Sequence, residues 1–407
     1  MRERDIIYVG PDAWDNVEKR PHHLVRRLAK TRRVLWLNPG LVQEVPRFIA
    51  EPVKLLRTGK GWFSTERGRT RLLWTPPDAP NVRVLSVLAP LPFGGRHPVA
   101  HELNTLAVAA QVRLAMAAWG LRDPIVVASH PKAGLLARRL GLKELVYDSI
   151  DDFGAFAGRH RADVIDGYER DLVRHAKGLT ATAEALAARL RALGREPVLL
   201  PNGVDLAHFR PDVAPAALER STAARVFGFV GLLADWVDLA FVERLARARP
   251  SDLVVLVGPR QAAMNDTVDR LARLPNVRVI GPVPYAAVAG WVQAFDVCLL
   301  PFARDRLTAA VNPIKLYEYF ALGKPVLASG IPEVARYGDL VALYDGDEGL
   351  DGAMSELDLE RDMPVVREDR RARRRSVAEQ HSWDTLARRF AEVIDGAEAA
   401  VSGVPAA

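Results

Sequence analysis

The chain has 407 residues, 49% of them hydrophobic, with a formal net charge of +6 and a single cysteine. That length exceeds what one core normally holds, so two domains are expected, and the composition excludes a disordered chain. One cysteine excludes a disulfide framework and fits a reducing compartment. No run of 18 apolar residues is present to span a membrane, and Met-Arg-Glu-Arg-Asp leads straight into a strand with no visible signal peptide.

In chain order, 5–10 reads as a short apolar strand ending at Gly10, 22–30 as a helix and 32–38 as a second strand, an alternation that implies a parallel sheet. Gly10 stands where a loop approaches a ligand, or simply where a strand stops. Residues 45–63 mix Phe48, Ile49, Trp62 and Phe63 with Arg47, Lys54, Arg57 and Lys60. Such a mixture can lie on an anionic membrane surface, although an inserted helix and loop packed on the domain is the reading placed first. A strand over 82–88, a Pro/Gly loop, and a long helix over 102–119 follow. The strand 124–129 delivers His130 at its carboxyl end, and the strand 145–147 delivers Asp148, Asp151 and Asp152. Ligands of open α/β sheets gather at such ends, although a packed loop histidine and helix-capping acids would look the same.

A helix (163–175), strand (178–182), helix (184–193) and strand (197–200) lead to Pro201-Asn202-Gly203-Val204-Asp205, and an alanine-rich stretch to about Arg220 looks like a linker. A second alternating run then begins. Strands are expected at 226–230, 253–257, 277–280 and 297–301, with glycines at their ends, and helices at 239–247 and 286–294. Arg370 to Arg375 reads as a solvated basic helix face, and 382–397 as a final amphipathic helix. Two α/β halves joined near residue 210 are expected to leave a cleft, a favoured place for ligands.

The most informative stretch is Asn312 to Ser329, read as a helix start, a short helix, a stop at Gly323-Lys324-Pro325 and a strand. Asn312 suits the N-cap and Pro313 the first helical position. A helix start is a ready anion site. Lys315 lies in its first turn, and Glu318, three residues on, shares its face. A phosphate at the mouth and a hydroxyl pair about one turn (roughly 5 Å) deeper would satisfy both, as a nucleotide diphosphate and its ribose would. An ordinary surface Lys–Glu pair is the plainer reading. P-loop, dinucleotide fingerprint, nucleophile elbow and zinc spacing are all missing from the sequence.

Asn-Pro-x-Lys-Leu-Tyr-Glu-Tyr-x-Ala-x-Gly-Lys-Pro-Val resembles the donor motif of bacterial two-domain (GT-B) glycosyltransferases of the family-4 type, also called glycosyl transferases group 1. Leu199-Leu200-Pro201-Asn202-Gly203-Val204-Asp205 and Phe209 resemble the segment that ends their N-terminal domain. Tyr147 to Phe153 and Trp14…Arg20-Pro21-His22-His23-Leu24 are similar to a subset acting on cell-surface or secondary-metabolite sugars.

The resemblance implies an α/β GT-B fold: two Rossmann-like doubly wound domains facing across a cleft, with the C-terminal helix packing back toward the N-terminal domain. It implies an acceptor-binding domain over 1–210, a nucleotide-sugar domain over 211–380, and a helix and tail over 381–407. Glu318 would hold the ribose hydroxyls. Lys315 and the backbone from Asn312 through Pro313 and Leu316 would meet the diphosphate, with Thr308 nearby. Gly231 would allow close approach to the phosphates, and Val283 would lie near the base. His130 would contact the donor sugar. Asp148 and Asp151 join it as catalytic candidates, with Gly10, Trp14, Arg20 and Asp152 on the acceptor side.

Two departures stand out. Ala310 occupies the position of a frequent second glutamate, and 232–239 carries Asp235 and Asp238 in place of an Arg…Lys phosphate pair, so Arg304, Arg306 or Lys315 would supply that charge.

The expectation is a cytoplasmic hexosyltransferase-type enzyme, acting in solution or at the inner face of the membrane. It would use a UDP-sugar before a GDP- or dTDP-sugar, with retention, no cofactor and no metal. The acceptor would be a small molecule, a lipid-linked sugar or a polysaccharide, and nucleic acid is not expected as a partner. The rivals are a nucleotide-sugar epimerase on the same scaffold and a non-catalytic scaffold of polysaccharide assembly.

Overall fold

The computed structural model describes residues 3–15, 18–38, 72–87, 98–157, 159–220, 224–345 and 348–396. The basic–aromatic segment 45–63 lies outside them. Two compact units emerge. The first holds 1–182, 186–200 and 387–402, and the second holds 183–185, 201–386 and 403–407.

The first unit is built on an eight-stranded sheet. Its strands are β1 (Ile6–Val9), β2 (Val34–Asn38), β3 (Leu73–Trp74), β4 (Val82–Ser86), β5 (Ile125–Ala128), β6 (Leu145–Ser149), β7 (Gly178–Ala181) and β8 (Val198–Leu199), in the order β3-β4-β2-β1-β5-β6-β7-β8. All pairs are parallel except β3 with β4. The chain winds outward one way from β1 to β4 and the other way from β5 to β8. The carboxyl ends of β1 and β5 therefore flank the point where the winding direction reverses, which is where such sheets bind ligands.

The second unit repeats the plan with β9 (Val226–Val230), β10 (Leu253–Val257), β11 (Val277–Gly281), β12 (Val297–Leu300), β13 (Val326–Ser329) and β14 (Ala342–Tyr344), in the order β11-β10-β9-β12-β13-β14. Its inner strands β9, β10 and β12 are apolar throughout because both faces are covered. Val226, Val230, Val255, Val257, Cys298, Leu300 and Val326 point into one core, and Phe227, Phe229, Val254, Leu256, Leu299 and Leu327 into the other. Burial pushes the Cys298 thiol up to about 12, so it is an inert core residue at neutral pH.

Three elements depart from the sequence reading. Asn312 is not the N-cap: the helix runs Ile314–Ala321, Pro313 caps it with extended backbone, and no side chain caps it. The Arg370–Arg375 run lies on the helix Pro364–Gln380 but is only half solvated. Arg374 is fully buried and grips Glu360 with two hydrogen bonds of 2.5 and 2.7 Å. The preceding helix, Glu348–Asp362, carries that buried acid, and no motif in the sequence announces it. The alanine-rich "linker" is not loose either, since Ala216 N–H donates to Gly290 O at 2.8 Å.

The final helix, Trp383–Asp395, starts in the second unit and finishes in the first. Val204 N–H donates to His381 O and Trp383 N–H to Val204 O, both at 3.0 Å, which ties its start to the segment after β8. Near its end, Asp395 takes two hydrogen bonds from the buried Arg32 guanidinium at 3.1 and 3.0 Å.

At the carboxyl ends of β9 and β10, Gly258 adopts φ +139°, and a Cβ there would stand 2.0 Å from Gly231 O. Both backbone strain and collision oppose any side chain. Gly258→Ala should therefore lower the stability of the second unit by at least about 2 kcal/mol in urea unfolding; a change below about 0.5 kcal/mol would show that this edge yields freely.

Candidate active site

In the first unit, the residues singled out from sequence gather at the carboxyl edge of β1, β5 and β6. Gly10 leaves room that a side chain would fill: a Cβ would lie 2.7 Å from Ser129 Oγ and from the Tyr8 ring. Tyr8 Oη donates to Ser129 Oγ at 2.7 Å across the reversal point. Trp14 is buried, its N–H bonded to Asn38 Oδ1 at 2.9 Å and its ring edge-on to Trp36 at 5.1 Å. That is a wall of the edge, not a free face.

Arg20 opens the helix Arg20–Leu28 and reaches β6. Its Nε and Nη2 donate to Asp148 Oδ2 and Oδ1 at 3.0 and 2.9 Å, and Thr180 Oγ1 donates to Oδ1 at 2.7 Å. Asp148 has no solvent exposure. Its carboxylate is occupied by a buried guanidinium and a hydroxyl, an arrangement that positions β6 and its loop. Asp152 caps the helix Phe153–Ala157 by accepting from Ala155 N–H at 3.0 Å, and lies 3.4 Å from Arg189. Neither acid is offered to a substrate in this geometry.

Asp151 differs. It is half-buried, and its pKa is raised to about 7, chiefly by burial; Lys19 opposes the shift while Asp12 and Asp152 add to it. Lys19 itself holds Asp12 at 2.7 Å. Asp151 thus has the proton affinity of a group that can exchange a proton near neutrality.

His130 is buried beside Phe153 and falls to about 3, because burial disfavours the charged ring and Lys132 and His101 act in the same direction. Its Nδ1 accepts from Lys132 N–H at 3.2 Å, which leaves Nε2 as the protonated nitrogen. His130 is therefore a neutral hydrogen-bond donor at the sheet edge, not a proton source at neutral pH.

In the second unit, Gly231, Gly258 and Gly281 end β9, β10 and β11. A cavity of about 420 Å³ lies beside them, lined by Arg260, Asp269 and Pro282 among others. Val283 follows, half-buried against the core. Thr308 is buried in its own loop: Oγ1 donates to Ala303 O, and its N–H donates to Asp305 Oδ1 at 2.9 Å. Leu316 is fully buried and its N–H donates to Pro313 O at 3.2 Å, so this residue, expected to meet the diphosphate through its backbone, offers neither its side chain nor its N–H there.

Asn312 serves as a cross-brace. Its Oδ1 accepts from Asn202 N–H at 2.9 Å, its carbonyl from Asn202 Nδ2 at 2.7 Å, and its Nδ2 donates to Tyr317 Oη and to Glu333 Oε2 at 3.0 and 2.8 Å. These bonds fix where the helix begins. Lys315 Nζ then meets Glu318 Oε2 at 2.6 Å; the Glu318 side chain is 5% exposed and that of Lys315 25%. Asp238, in the segment expected to lack phosphate-binding cations, caps the helix Leu239–Ala248 through Phe241 N–H at 2.8 Å. Arg304 pairs with Asp345. Sequence reasoning missed Glu333, which comes after β13 with no motif of its own, and the Asp12–Lys19 pair.

Two doubly wound parallel sheets with glycine-ended strands define the class: this is a GT-B protein. In solved structures the same fold recurs in sucrose-phosphate synthase from Thermosynechococcus elongatus, with a TM-score of 0.70 at 14% identity over 96% of this chain and 98% of that one. It recurs in Anabaena HepE, solved with UDP and glucose, with a TM-score of 0.66 at 16% identity over 97% and 100% of the two chains. Residues 224–357 match the family model "Glycosyl transferases group 1". A putative teichuronic acid biosynthesis glycosyltransferase, TuaH of Bacillus subtilis, is 27% identical over 221 residues; the match spans 51% of this chain and about half (56%) of that relative. The solved structures thus show the fold, and residues 224–357 are similar to group 1 glycosyltransferases.

Two tests follow from the first-unit edge. Asp148→Ala strands a buried guanidinium and should cost about 3–5 kcal/mol in urea unfolding, whereas Arg20→Met with Asp148→Leu should cost less than either single change; an additive double variant would refute the coupling. Asp151 binds a proton more tightly folded than at its ordinary 3.8, so its contribution to stability is present at low pH and is lost as pH rises from about 4 to about 7. Asp151→Asn should flatten that decline, and an unchanged stability–pH curve would contradict the shift.

Proposed function

We propose that the protein transfers a sugar from a nucleotide diphosphate, UDP before GDP or dTDP, to a hydroxyl acceptor, with the second unit holding the donor and the first unit the acceptor. The observation that carries this is the buried Glu318 carboxylate, held 2.6 Å from Lys315 Nζ one turn into a helix whose start is fixed by Asn312. A ribose would offer Glu318 two hydroxyl donors in place of the ammonium, and Lys315 would turn to the diphosphate, together with N–H groups of the helix start. HepE, of the same fold, has been solved with UDP-glucose. Side chains and the helix end are proposed to neutralise the diphosphate without a metal.

In the transfer, the bond between the anomeric carbon and the phosphate oxygen breaks, and the acceptor oxygen bonds to that carbon. The acceptor attacks from the face that the diphosphate leaves, which gives retention, and its proton passes to an oxygen of the departing diphosphate. His130, neutral with Nε2–H, would donate to a sugar hydroxyl. A second reading, inversion with Asp151 as general base, is favoured by its pKa of about 7; the anomer of the product, read by NMR, separates the two.

The acceptor is proposed to be a small molecule, a lipid-linked sugar or a polysaccharide. Among the described residues no helix is long and apolar enough to cross a membrane. Work at the inner membrane face remains part of the proposal.

Glu318→Ala should weaken UDP binding about 10- to 100-fold by calorimetry, the worth of losing hydrogen bonds to a charged group. Unchanged affinity would remove the assignment. His130→Ala should lower kcat by at least tenfold with UDP affinity within about twofold of the parent; equal losses in both would deny it a role in the transfer step.

A further inference from the structure

The donor edge of the second sheet has an opposite edge, at the amino ends of β9, β12 and β13. There a cavity of about 560 Å³ lies between the strand starts and the helices Glu348–Asp362 and Pro364–Gln380. It is well within the size of small-ligand sites. Six cations line it: Arg220, Arg225, Lys324, Arg361, Arg367 and Arg371. Asp296 and Glu360 are the acids in the lining. Glu360 is taken up by Arg374, at 2.5 and 2.7 Å, and Asp296 by Arg220.

Lys324 has a structural explanation. Its ammonium caps the end of the helix Tyr285–Ala294, donating to Gln293 O and Phe295 O at 2.8 and 2.9 Å. Arg225 has only half of one. It is 5% exposed and one nitrogen pairs with Asp358, yet its Nη1 has no hydrogen-bond partner among the described residues. A buried guanidinium nitrogen without an acceptor is costly. Burial and Arg361 both push Arg225 toward losing its proton, and burial, with Arg371 and Arg220, does the same to Lys324. Arg361 pairs with Asp362 at 2.6 Å, and Arg367 and Arg371 lie 3.9 and 3.6 Å from Glu368, so among the described residues the unsatisfied cationic nitrogen of the lining is Arg225 Nη1.

We propose that this cavity is a second anion site, separate from the donor site, and that it takes a small phosphorylated ligand bearing two or more negative charges. Such a ligand would give Arg225 Nη1 its missing acceptor once that buried side chain turns toward the cavity, with Arg367 and Arg371, both half-exposed, leaving Glu368 to close on it from the helix Pro364–Gln380. Strands of five residues place it about 16 Å from the donor edge, so donor and second anion can be bound at once.

Isothermal titration of the full chain with inorganic tripolyphosphate tests this. The wild type should bind with a Kd below 1 mM, roughly, and the Arg367→Ala/Arg371→Ala double variant should bind at least tenfold more weakly while unfolding at the parental temperature. Arg225→Met should lose binding as well if it folds. Lys315→Ala, at the other edge, should leave tripolyphosphate affinity within about twofold of the parent. Parental affinity in the double variant overturns the proposal, as does loss in Lys315→Ala alone. Binding to phosphatidic acid vesicles without tripolyphosphate binding also overturns it, since the surface would then be reading a lipid bilayer.

Discussion

A carboxylate kept out of water must be held by something, and Glu318 is held by Lys315. The rest of the second unit's edge follows from that constraint. The pair is positioned only if the helix begins at a fixed place, and Asn312 fixes it by bonding Asn202, Tyr317 and Glu333 at once. The strand-end glycines Gly231 and Gly258 let their backbones pass too close for a side chain at Gly258. One member of the pair is buried and the other a quarter exposed, so the base keeps access to solvent while the acid does not.

The first unit uses its charges in two ways. Asp148 and Arg20 are neutralised by each other, fully buried, and serve as a brace between the first helix and β6. Asp151, three residues on, is left among Lys19, Asp12 and Asp152 with its proton poised near neutrality. Acids three residues apart, one inside β6 and one just past its end, thus differ in state, and solvent access and partner geometry decide between them.

Much of the architecture was legible because parallel strands buried on both faces read as unbroken apolar runs, as in Val226–Val230 and Leu253–Val257. The Lys315–Glu318 pair was legible from its spacing on a helix. What sequence could not show was which polar groups would be enclosed. Asn312 looks like a cap by residue type, but its side chain is drawn to Asn202 and Glu333, 110 and 21 positions away. Arg374 looks solvated within a basic run, but its partner Glu360 sits on another helix. Asp148 looks like an exposed strand-end acid until Arg20, 128 positions earlier, closes over it. Long-range pairing leaves no local signal.

The path of the final helix has a consequence for biogenesis. Arg32 is almost wholly enclosed, yet one of its carboxylate partners, Asp395, is 363 positions downstream. Translation therefore delivers the opening strands and helices long before the segment that completes them. Until then Arg32 has Glu3 as a carboxylate partner but lacks Asp395. The pairing of Arg32 is complete only once the helix Trp383–Asp395 has docked.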